Sequence, residues 1–478
     1  MNKLWSRLTI ILTGTAVSLF AVIFFTNRPT ATYADGNSDD FGYGLSVAWP
    51  AVSEVQAMGF NWIRVFDPPN TRHAVNVLLR VDINASHLND INGFGNSIQA
   101  LAQSQKGYVD AYELGNEVNL DASYGWAAPP NAAHYATLLC EAYGRVKAVD
   151  PDAIVVSAGL APVGRVSGNW HGHPGHNGAY QDDREYMKEF LDAGGGACFD
   201  VFGYHPFGYS ADFDTPPDQW SADPTQNCTN GFCFRGLEKI YEILQSRGLG
   251  HKQIWGTEYG WLTMPPDHCT DDGSWDGRFW QIVSDEKQAE NLMGSFLYAR
   301  EHYPWVGALF IFNYNFNEAD WYGECEQMRF YSIKNRPAQT TLTEMPKIAN
   351  PEVGELVVQP SSFTKILSPD QQPFSVTIPF TIENKGDWRR TYAIEVGPNT
   401  EVDLNLSGPL HGNLYGRFSS NRTLQIETPI YPLGNYRNTI QITDTVPGLG
   451  SSDTQTIPIN IFIWEETYQT HLPIVMKQ

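Results

Sequence analysis

Between Phe41 and Asn317, short runs of apolar and β-branched residues alternate with longer stretches of helical periodicity. Such alternation is typical of βαβ units, which build parallel sheets. Strands are predicted at 43–47, 62–66, 77–83, 111–115, 154–158, 201–204, 254–257 and 308–312. Helices are predicted between them at 50–58, 93–104, 132–148, 183–193, 236–247 and 285–303. Eight strands over about 300 residues predict an α/β fold, a (β/α)8 TIM barrel whose active site lies on the loops that follow the strands.

Beyond Thr343 the helical periodicity ends, and Pro, Thr, Ser and Asn punctuate short alternating runs. The runs at 374–383, 392–396, 423–426, 439–443 and 457–464 predict the strands of a β-sandwich. The segment from Leu433 to Tyr436 resembles the tyrosine corner of immunoglobulin-like domains. We therefore expect a barrel over 35–345, a smaller all-β immunoglobulin-like sandwich over 350–466, and a tail over 467–478. The sandwich can bind a glycan, tether the chain or act as a spacer, because fold does not fix function.

The first 34 residues have the layout of a secretory signal. Lys3 and Arg7 precede an apolar run over 8–25, and small residues follow at 31–34. We predict a signal peptide cleaved near Ala34. The apolar run is also long enough for a marginal membrane-spanning anchor, so a membrane tether stays open. Either alternative predicts a protein that is secreted or held at the cell surface.

The chain has six cysteines, an even number that predicts disulfides in an exported protein. We predict the pairs Cys228–Cys233, Cys269–Cys325 and Cys140–Cys198, although sequence alone does not fix the connectivity. The cysteines show no paired CxxC spacing of the kind that binds a metal.

Charge and composition restrict the partner. The net charge of -22 argues against nucleic acid, because affinity for phosphate backbones comes mainly from clustered Lys and Arg. A neutral or cationic partner is expected instead. The 14 Trp and 23 Tyr fit the apolar faces of sugar rings, although large cores use aromatic residues too. We expect a carbohydrate partner and a monomeric protein.

Two strand ends carry glutamates. The run Tyr112-Glu113-Leu114-Gly115-Asn116-Glu117 ends where the fourth strand should meet its loop, and Ile254-Trp255-Gly256-Thr257-Glu258-Tyr259-Gly260-Trp261 covers the end of the seventh. Each motif alone is an ordinary way to stop an apolar run. Together they place two glutamates at the functional face of the expected barrel.

On these two motifs the chain resembles the clan A glycoside hydrolases, the superfamily of cellulase-like barrels. The resemblance covers about residues 41–320. It implies that Glu117 is the acid/base, that Glu258 is the nucleophile, and that hydrolysis retains the anomeric configuration, with carboxyls about 5 to 5.5 Å apart. It also implies that Asn116 binds the sugar 2-hydroxyl. Glu113 is interpreted as a structural or supporting residue.

The resemblance extends to Arg64, expected beside the nucleophile, and to His205, expected at the edge of the site. An interior salt bridge and a core histidine are the respective alternatives. The chain departs from the family where Phe207 replaces a tyrosine, and where Asn313-Tyr314 replaces a tryptophan at strand eight. Tyr259 or Tyr204 is expected to substitute for the missing tyrosine.

Tryptophans on the loops after the strands are candidates for stacking on sugar rings. We expect Trp49, Trp261 and Trp321 to contact substrate, with Tyr259 beside them; packing within the loops is the alternative.

No cofactor or metal is expected. The histidines at 171, 173 and 176 are compositional indications of metal binding only. Asp267, Asp271, Asp272 and Asp276 lack an EF-hand pattern and are interpreted as a solvated acidic loop.

The function predicted is a retaining O-glycoside hydrolase acting on a polysaccharide or oligosaccharide, with a β-linked glycan favoured. A transglycosylase is the neighbouring alternative. The rivals from other classes are a non-catalytic extracellular glycan-binding or adhesion protein and a metal-dependent barrel hydrolase.

Overall fold

The computed structural model describes residues 41–164, 178–408, 410–414, 416–446 and 449–465. These residues belong to one unit. The predicted signal or anchor, the C-terminal tail and the three histidines at 171, 173 and 176 lie outside the described residues. Over the described part of the chain, no helix is both long and apolar enough to cross a membrane.

All eight barrel strands form where the sequence predicts them. They are β1 (Gly42–Ser46), β2 (Trp62–Val65), β3 (Asn76–Val81), β4 (Ala111–Asn116), β5 (Ile154–Gly159), β6 (Phe202–Tyr204), β7 (Ile254–Tyr259) and β8 (Val306–Ile311). They pair in parallel in the order β5-β4-β3-β2-β1-β8-β7-β6. The two edge strands approach each other, because the Ser157 amide donates to Val201 O at 3.0 Å and the His205 amide donates to Leu160 O at 3.1 Å. The sheet is thus a nearly closed parallel barrel.

Seven helices accompany the strands in the described residues: α1 (Val52–Ala57), α2 (Ile91–Gln105), α3 (Ala132–Val149), α4 (Asp183–Asp192), α5 (Leu237–Ser246), α6 (Asp285–His302) and α7 (Pro337–Glu344). The first six were predicted. Side-chain caps begin several of them; Asn131 accepts from the His134 amide at 2.9 Å and Ser284 from the Lys287 amide at 3.1 Å. Helix α7 was not predicted; it begins with a proline at its first turn.

The barrel interior changes character from its N-terminal to its C-terminal end. Its lower layer is a buried apolar cluster of Trp62, Leu78, Ala111, Val156, Val201, Trp255, Ala308 and Phe310. Two residues further along the strands, on the same face, Arg64 follows Trp62 and Glu113 follows Ala111. The period of two therefore places charged side chains above an apolar floor, at the end where barrel sites lie.

The C-terminal region is all β, as predicted. Its strands are β9 (Leu356–Gln359), β10 (Phe363–Leu367), β11 (Phe374–Asn384), β12 (Arg390–Val396), β13 (Asn405–Ser407), β14 (His411–Leu414), β15 (Ser419–Thr428), β16 (Gly434–Val446) and β17 (Ser451–Ile463). They form a four-stranded sheet (β9-β11-β15-β13) and a five-stranded sheet (β10-β17-β16-β12-β14) around one apolar cluster. The Tyr436 hydroxyl donates to Pro432 O at 2.9 Å, the contact that a tyrosine corner makes. Immunoglobulin-like topology itself stays a prediction.

The C-terminal region also contacts the barrel. Trp388 and Val446 belong to the same buried apolar cluster as Leu342 of α7. Arg389 forms an ion pair with Glu344, the last residue of α7. The two regions therefore share buried surface, although the residue boundaries given above for the two domains stay predictions.

Three disulfides join the cysteines, as predicted: Cys140–Cys198, Cys228–Cys233 and Cys269–Cys325. Such bridges are typical of proteins that leave the cytosol. Cys269–Cys325 connects the loop after β7 to the loop after β8, and both loops border the cavity described next.

Candidate active site

A cavity of about 580 Å³ lies at the C-terminal ends of the barrel strands. Its wall is built mainly from aromatic and charged side chains on the loops. Among them are Phe66, Arg80, Asn116, Glu117, Tyr124, Phe207, Tyr209, Glu258, Arg278, Trp321, Tyr322 and Tyr331. Concave pockets of this size with a few converging polar groups are where small molecules and sugars bind.

Glu117 is the first residue after β4, and the backbone there is unusual. Gly115 has φ 102° and Glu117 has φ 42°, both in the left-handed region. A side chain at Gly115 would also crowd Ala158, Tyr135 and Val118. The Glu117 amide is fixed by Gly159 O at 2.9 Å. Non-glycine residues at positive φ are uncommon and cluster at functional sites. The turn directs the Glu117 carboxyl into the cavity.

Glu258 lies within β7, where the pairing with β8 is irregular. The register shifts between the Gly256 and Tyr259 pairings. Shifts of this kind redirect side chains, and here Thr257 and Glu258, although consecutive, both point inward. Glu258 therefore borders the same cavity as Glu117, from the opposite side of the barrel.

Arg64 holds this end of the barrel together. Its guanidinium donates from Nε to Glu113 Oε2 at 2.6 Å, from Nη1 to Glu258 Oε1 at 2.7 Å, and from Nη2 to Asn116 Oδ1 at 3.3 Å. The side chain is fully buried. Burial alone would lower the pKa of Arg64, but Glu113 and Glu258 raise it above its ordinary value. The arginine is a fixed cation beside Glu258, at the position that the sequence predicted.

His205 lies between the three carboxylates. Its Nδ1 is 3.0 Å from Glu117 Oε1 and 3.9 Å from Glu258 Oε2, and its Nε2 is 3.7 Å from Glu113 Oε1. The ring is fully buried. It fits because residue 159 is glycine, since a Cβ there would lie 2.2 Å from His205 Nε2. His205 is thus at the centre of the site, not only at its edge.

Burial alone would lower the pKa of His205, but the charge of Glu258 and hydrogen bonds to Glu113 and Glu117 raise it to about 9. Burial alone would raise the pKa of Glu113, but Arg64 and His205 lower it to about 2. At neutral pH the cluster therefore contains the two cations Arg64 and His205. Glu113 is an anion that supports them, because its oxygens are occupied by Arg64 and the Gly159 amide.

Ligand atoms of Glu117, His205 and Glu258 all lie within 4.8 Å of one another. The nearest oxygens of the two glutamates are therefore closer than the separation of about 6.5–9.5 Å that leaves room for water between inverting carboxyls. The same trio has the chemistry of a metal-ligand set, since each offers one nitrogen or oxygen. Arg64 already neutralises Glu258, so a divalent ion there would meet a nearby cation.

Two other predicted site residues border the cavity. Asn116 is buried; it accepts from Arg64 and donates from Nδ2 to Tyr124 O at 3.1 Å. Trp321 is 63% exposed on the cavity wall. Trp49 packs edge-on against Trp321 with ring centroids 6.2 Å apart, so it supports that wall without being among the lining residues.

Three expectations are corrected by burial. Tyr259 and Trp261 are fully buried in the barrel core; the Trp261 indole donates to Ala211 O at 2.8 Å. Tyr204 is buried too, and its hydroxyl donates to Asp183 at 2.9 Å. None of the three borders the cavity, so none can contact a ligand there. Tyr259 and Trp261 thus turn away from the cavity, whereas they were expected to follow Glu258 into the site.

Phe207 borders the cavity as an apolar residue and packs against Tyr331, with ring centroids 5.4 Å apart. Tyr331 comes from the loop after β8 and also borders the cavity. Asn313, in place of a tryptophan, is structural; its amide donates to Met328 O at 2.7 Å and its oxygen accepts from the Phe316 amide at 3.0 Å. Tyr331 is thus a tyrosine in ring contact with Phe207.

Many lining residues were not predicted from the sequence, among them Tyr124, Tyr209, Arg278 and Tyr331. These four lie in long loops after β4, β6, β7 and β8. In a (β/α)8 barrel the loops that follow the strands are expected to form the site, but these loops have no sequence periodicity that predicts which side chains face the cavity. Three of these four residues are tyrosines, whereas the loop residues expected to stack on sugar rings were mainly tryptophans.

No protein-family model matches the chain, and no curated protein matches it. Among solved structures, it is similar to a glucosidase from Croceicoccus marinus, with 11% identity over 83% of this chain and 97% of that chain, at a TM-score of 0.46. A monomeric beta-xylosidase from Caulobacter crescentus CB15 shows 12% identity over 83% and 98%, at 0.44.

The beta-glucuronidase 2 of Bacteroides uniformis shows 12% identity over 86% of this chain, at a TM-score of 0.37. This chain spans 43% of that enzyme's length. These three neighbours are glycoside hydrolases, but at such identities and scores they assign no activity to this chain.

Proposed function

We propose that the protein is a retaining O-glycoside hydrolase that cleaves a polysaccharide or oligosaccharide. Glu117 is the proposed acid/base and Glu258 the proposed nucleophile. The observation that carries the proposal is the convergence of two glutamates with contrasting partners on one cavity. Glu258 is paired with the buried Arg64, whereas Glu117 contacts His205 and has no contact with Arg64.

That contrast fits the two roles. Glycoside cleavage needs one ionised carboxyl to meet the cationic sugar carbon and one protonated carboxyl to help the leaving oxygen depart. The buried Arg64 donates to Glu258 at 2.7 Å and so fixes the carboxyl proposed to attack. Glu117 has the most exposed side chain of the three carboxylates, at 15%, and is therefore the carboxyl that substrate and water reach most readily.

In the first step, a Glu258 oxygen bonds to the anomeric carbon as the bond from that carbon to the leaving oxygen breaks. Glu117 gives its proton to the leaving oxygen. In the second step, Glu117 takes a proton from water, the water oxygen bonds to the anomeric carbon, and Glu258 leaves as a carboxylate. Two inversions retain the configuration. A second sugar in place of water would give transglycosylation.

The short separation of the glutamates supports retention. Asn116 is positioned by Arg64 and Tyr124 O, which keeps its amide close to both glutamates and compatible with a contact to the sugar 2-hydroxyl. Trp321 offers an exposed apolar ring at the wall for stacking.

The test is sugar release from a panel of β-glucans, xylans, mannans and galactans by the mature chain and by Glu117→Gln and Glu258→Gln. We expect one substrate class to be cleaved with retention, seen by NMR of the first product, and both variants to lose at least about 10³-fold in rate. Glu355→Gln, an exposed change outside the barrel, is the control. Cleavage that persists in both glutamate variants would refute the assignment.

The rival of a non-catalytic glycan-binding protein keeps the cavity and its aromatic wall. It predicts binding without release of sugar from any glycan, and unchanged affinity in Glu258→Ala. The metal-dependent rival uses Glu117, His205 and Glu258 as ligands, and predicts that exhaustive chelation abolishes activity. Full activity after chelation would exclude it.

We propose further that the protein acts outside the cytosol, secreted or held at the cell surface, as a monomer whose non-protein partner is the carbohydrate substrate. The three disulfides support the compartment. Fractionation of the producing cells tests it.

A further inference from the structure

Arg278 is a cation on the cavity wall that lies outside the cluster of Arg64, His205 and the glutamates. It borders the same cavity as Glu117 and Glu258. Tyr124 and Tyr331 border this cavity too, and the charge of Arg278 opposes the burial that raises the pKa of both phenols. The side chain is half-buried. Across the described residues, its guanidinium donates to no carboxylate or carbonyl.

A half-buried cation without an anion is costly, because desolvation is not compensated. Two arginines near the cavity do have carboxylate partners. Arg64 pairs with Glu113 and Glu258, and Arg80, also on the cavity wall, pairs with Asp82 at 2.7 Å. Arg278 therefore differs from Arg64 and Arg80, because the N–H groups of its guanidinium are available to bind a ligand.

The backbone that carries Arg278 is fixed. Its amide donates to Trp275 O at 2.8 Å, and its carbonyl accepts from the Gln281 amide at 3.0 Å. Trp275 is buried, and its indole donates to Cys325 O at 3.2 Å, next to the disulfide with Cys269. The arginine is thus presented by a loop anchored to the protein core, and a donor held in this way loses little entropy on binding.

On the other side of Arg278, Trp280 stacks on Tyr209 with ring centroids 5.2 Å apart and an angle of 10° between the rings. Its indole donates to Gly277 O at 2.9 Å, which closes the loop on itself. Tyr209 borders the cavity. The anchored cation is therefore adjacent to an aromatic wall, the combination that binds a sugar ring carrying a charged group.

We infer that the substrate is an acidic glycan, and that Arg278 binds the carboxylate of a uronic acid residue in it. This inference rests on the proposed function, which it narrows to a substrate class. The planar guanidinium matches a carboxylate with two parallel hydrogen bonds, a geometry that sugar hydroxyls do not offer. An acidic substrate differs from the neutral or cationic partner expected from the net charge.

The net charge of -22 does not exclude an acidic substrate, because charges more than about 8 Å away are screened at physiological ionic strength. The groups that line the cavity act at contact. Besides Glu117 and Glu258, which belong to the cluster, the wall carries the acidic residue Asp67; it is exposed, whereas Arg278 is half-buried. An amino sugar held by Asp67 is accordingly the alternative that the test must separate.

Binding is measured on Glu258→Gln, so that no turnover is needed. The probes are glucuronoxylan, polyglucuronate and alginate, each beside its own carboxyl-reduced form, with chitosan and a sulfated galactan. We expect at least one acidic polymer to bind about tenfold or more tightly than its reduced form. Arg278→Gln should abolish this preference, and Arg278→Lys should retain part of it. The control Arg247→Gln removes an exposed arginine paired with Asp192 and should change nothing.

Equal or tighter binding of every reduced polymer, tighter binding of chitosan or of the sulfated galactan, or a preference that survives Arg278→Gln would overturn the inference. Circular dichroism of each variant verifies that it is folded. If the intact chain releases sugar from neutral glycans only, the inference fails while the proposed function stands. If acidic polymers bind through Arg278 but the intact chain cleaves none, the proposed function fails and the binding site stands.

Discussion

Replacing Arg64 with methionine tests whether the buried cation organises the site. The change keeps most of the length of the side chain but removes donors to Glu113 at 2.6 Å and Glu258 at 2.7 Å. Each charge-assisted hydrogen bond contributes about 1.5–3 kcal/mol, and the longer one to Asn116 at 3.3 Å contributes less. Breaking a buried pair by removing one partner costs about 3–5 kcal/mol. We expect the free energy of unfolding at pH 7 to fall by about 4 kcal/mol.

The loss should depend on pH in a defined direction. The pKa of Glu113 is lowered to about 2 in the folded protein, so its stabilising effect is present above its unfolded value near 4.5 and is lost as pH falls toward 2. The variant lacks most of this effect. The difference in unfolding free energy between the two proteins should therefore be largest above pH 4.5 and should shrink below it.

Urea unfolding at about pH 7 and about pH 4 measures the difference, and Arg72→Met is the matched control. Arg72 pairs with Asp110 at 2.6 Å but is 40% exposed, so its loss should cost less than about 1 kcal/mol. The double variant Arg64→Met, Glu113→Gln should recover part of the loss, because one unpaired charge is removed with the cation. A loss for Arg64→Met that matches the control, or one that is the same at both pH values, would refute this reasoning.

Three further outcomes are expected. His205→Gln should make the free energy of unfolding less dependent on pH. In the wild type, the raised pKa of His205, about 9, stabilises the folded state fully below pH 6.5, and this contribution, on the order of 3 kcal/mol, disappears as pH rises through 9. Urea titrations across that pH range measure the difference. The double variant Cys140→Ser, Cys198→Ser removes a bridge between cysteines 58 positions apart in the sequence, and should lower the free energy of unfolding by about 4 kcal/mol. Unfolding is measured without reductant, and no loss would show that the bridge is not formed. Trp321→Ala should raise KM for the cleaved glycan roughly 3- to 10-fold with kcat nearly kept, whereas Trp220→Ala, 74% exposed and outside the cavity wall, should leave both unchanged.

The barrel could be predicted from the sequence because each strand carries its own signal. A run such as 308–312 has apolar residues bounded by polar ones or glycine, and Asn and Ser mark helix starts. The glutamates were found for the same reason, since Glu117 and Glu258 stand at strand ends that the period of the sheet locates. The local sequence pattern is therefore sufficient to predict the regular strands and helices.

The remaining features of the site depend on three-dimensional contacts between distant segments. Tyr259 and Trp261 lie just after the proposed nucleophile, yet the irregular pairing of β7 with β8 turns them into the core. His205 is central only because Gly159, on another strand, leaves space for its ring. Arg278 depends on a disulfide and a buried indole for its place. No pattern in the local sequence predicts any of these contacts.

The contact between α7 and the C-terminal sheets has a practical consequence for shortening the chain. The change in sequence texture near residue 345 suggests a cut there, yet the cut removes Trp388 from the apolar cluster that holds Leu342 and removes Arg389 from Glu344. The isolated barrel would then expose apolar surface and an unpaired carboxylate at the end of its last helix. Recombinant fragments ending near 345 should aggregate, and crystallisation or directed evolution of the barrel is better begun from a chain that retains both sheets.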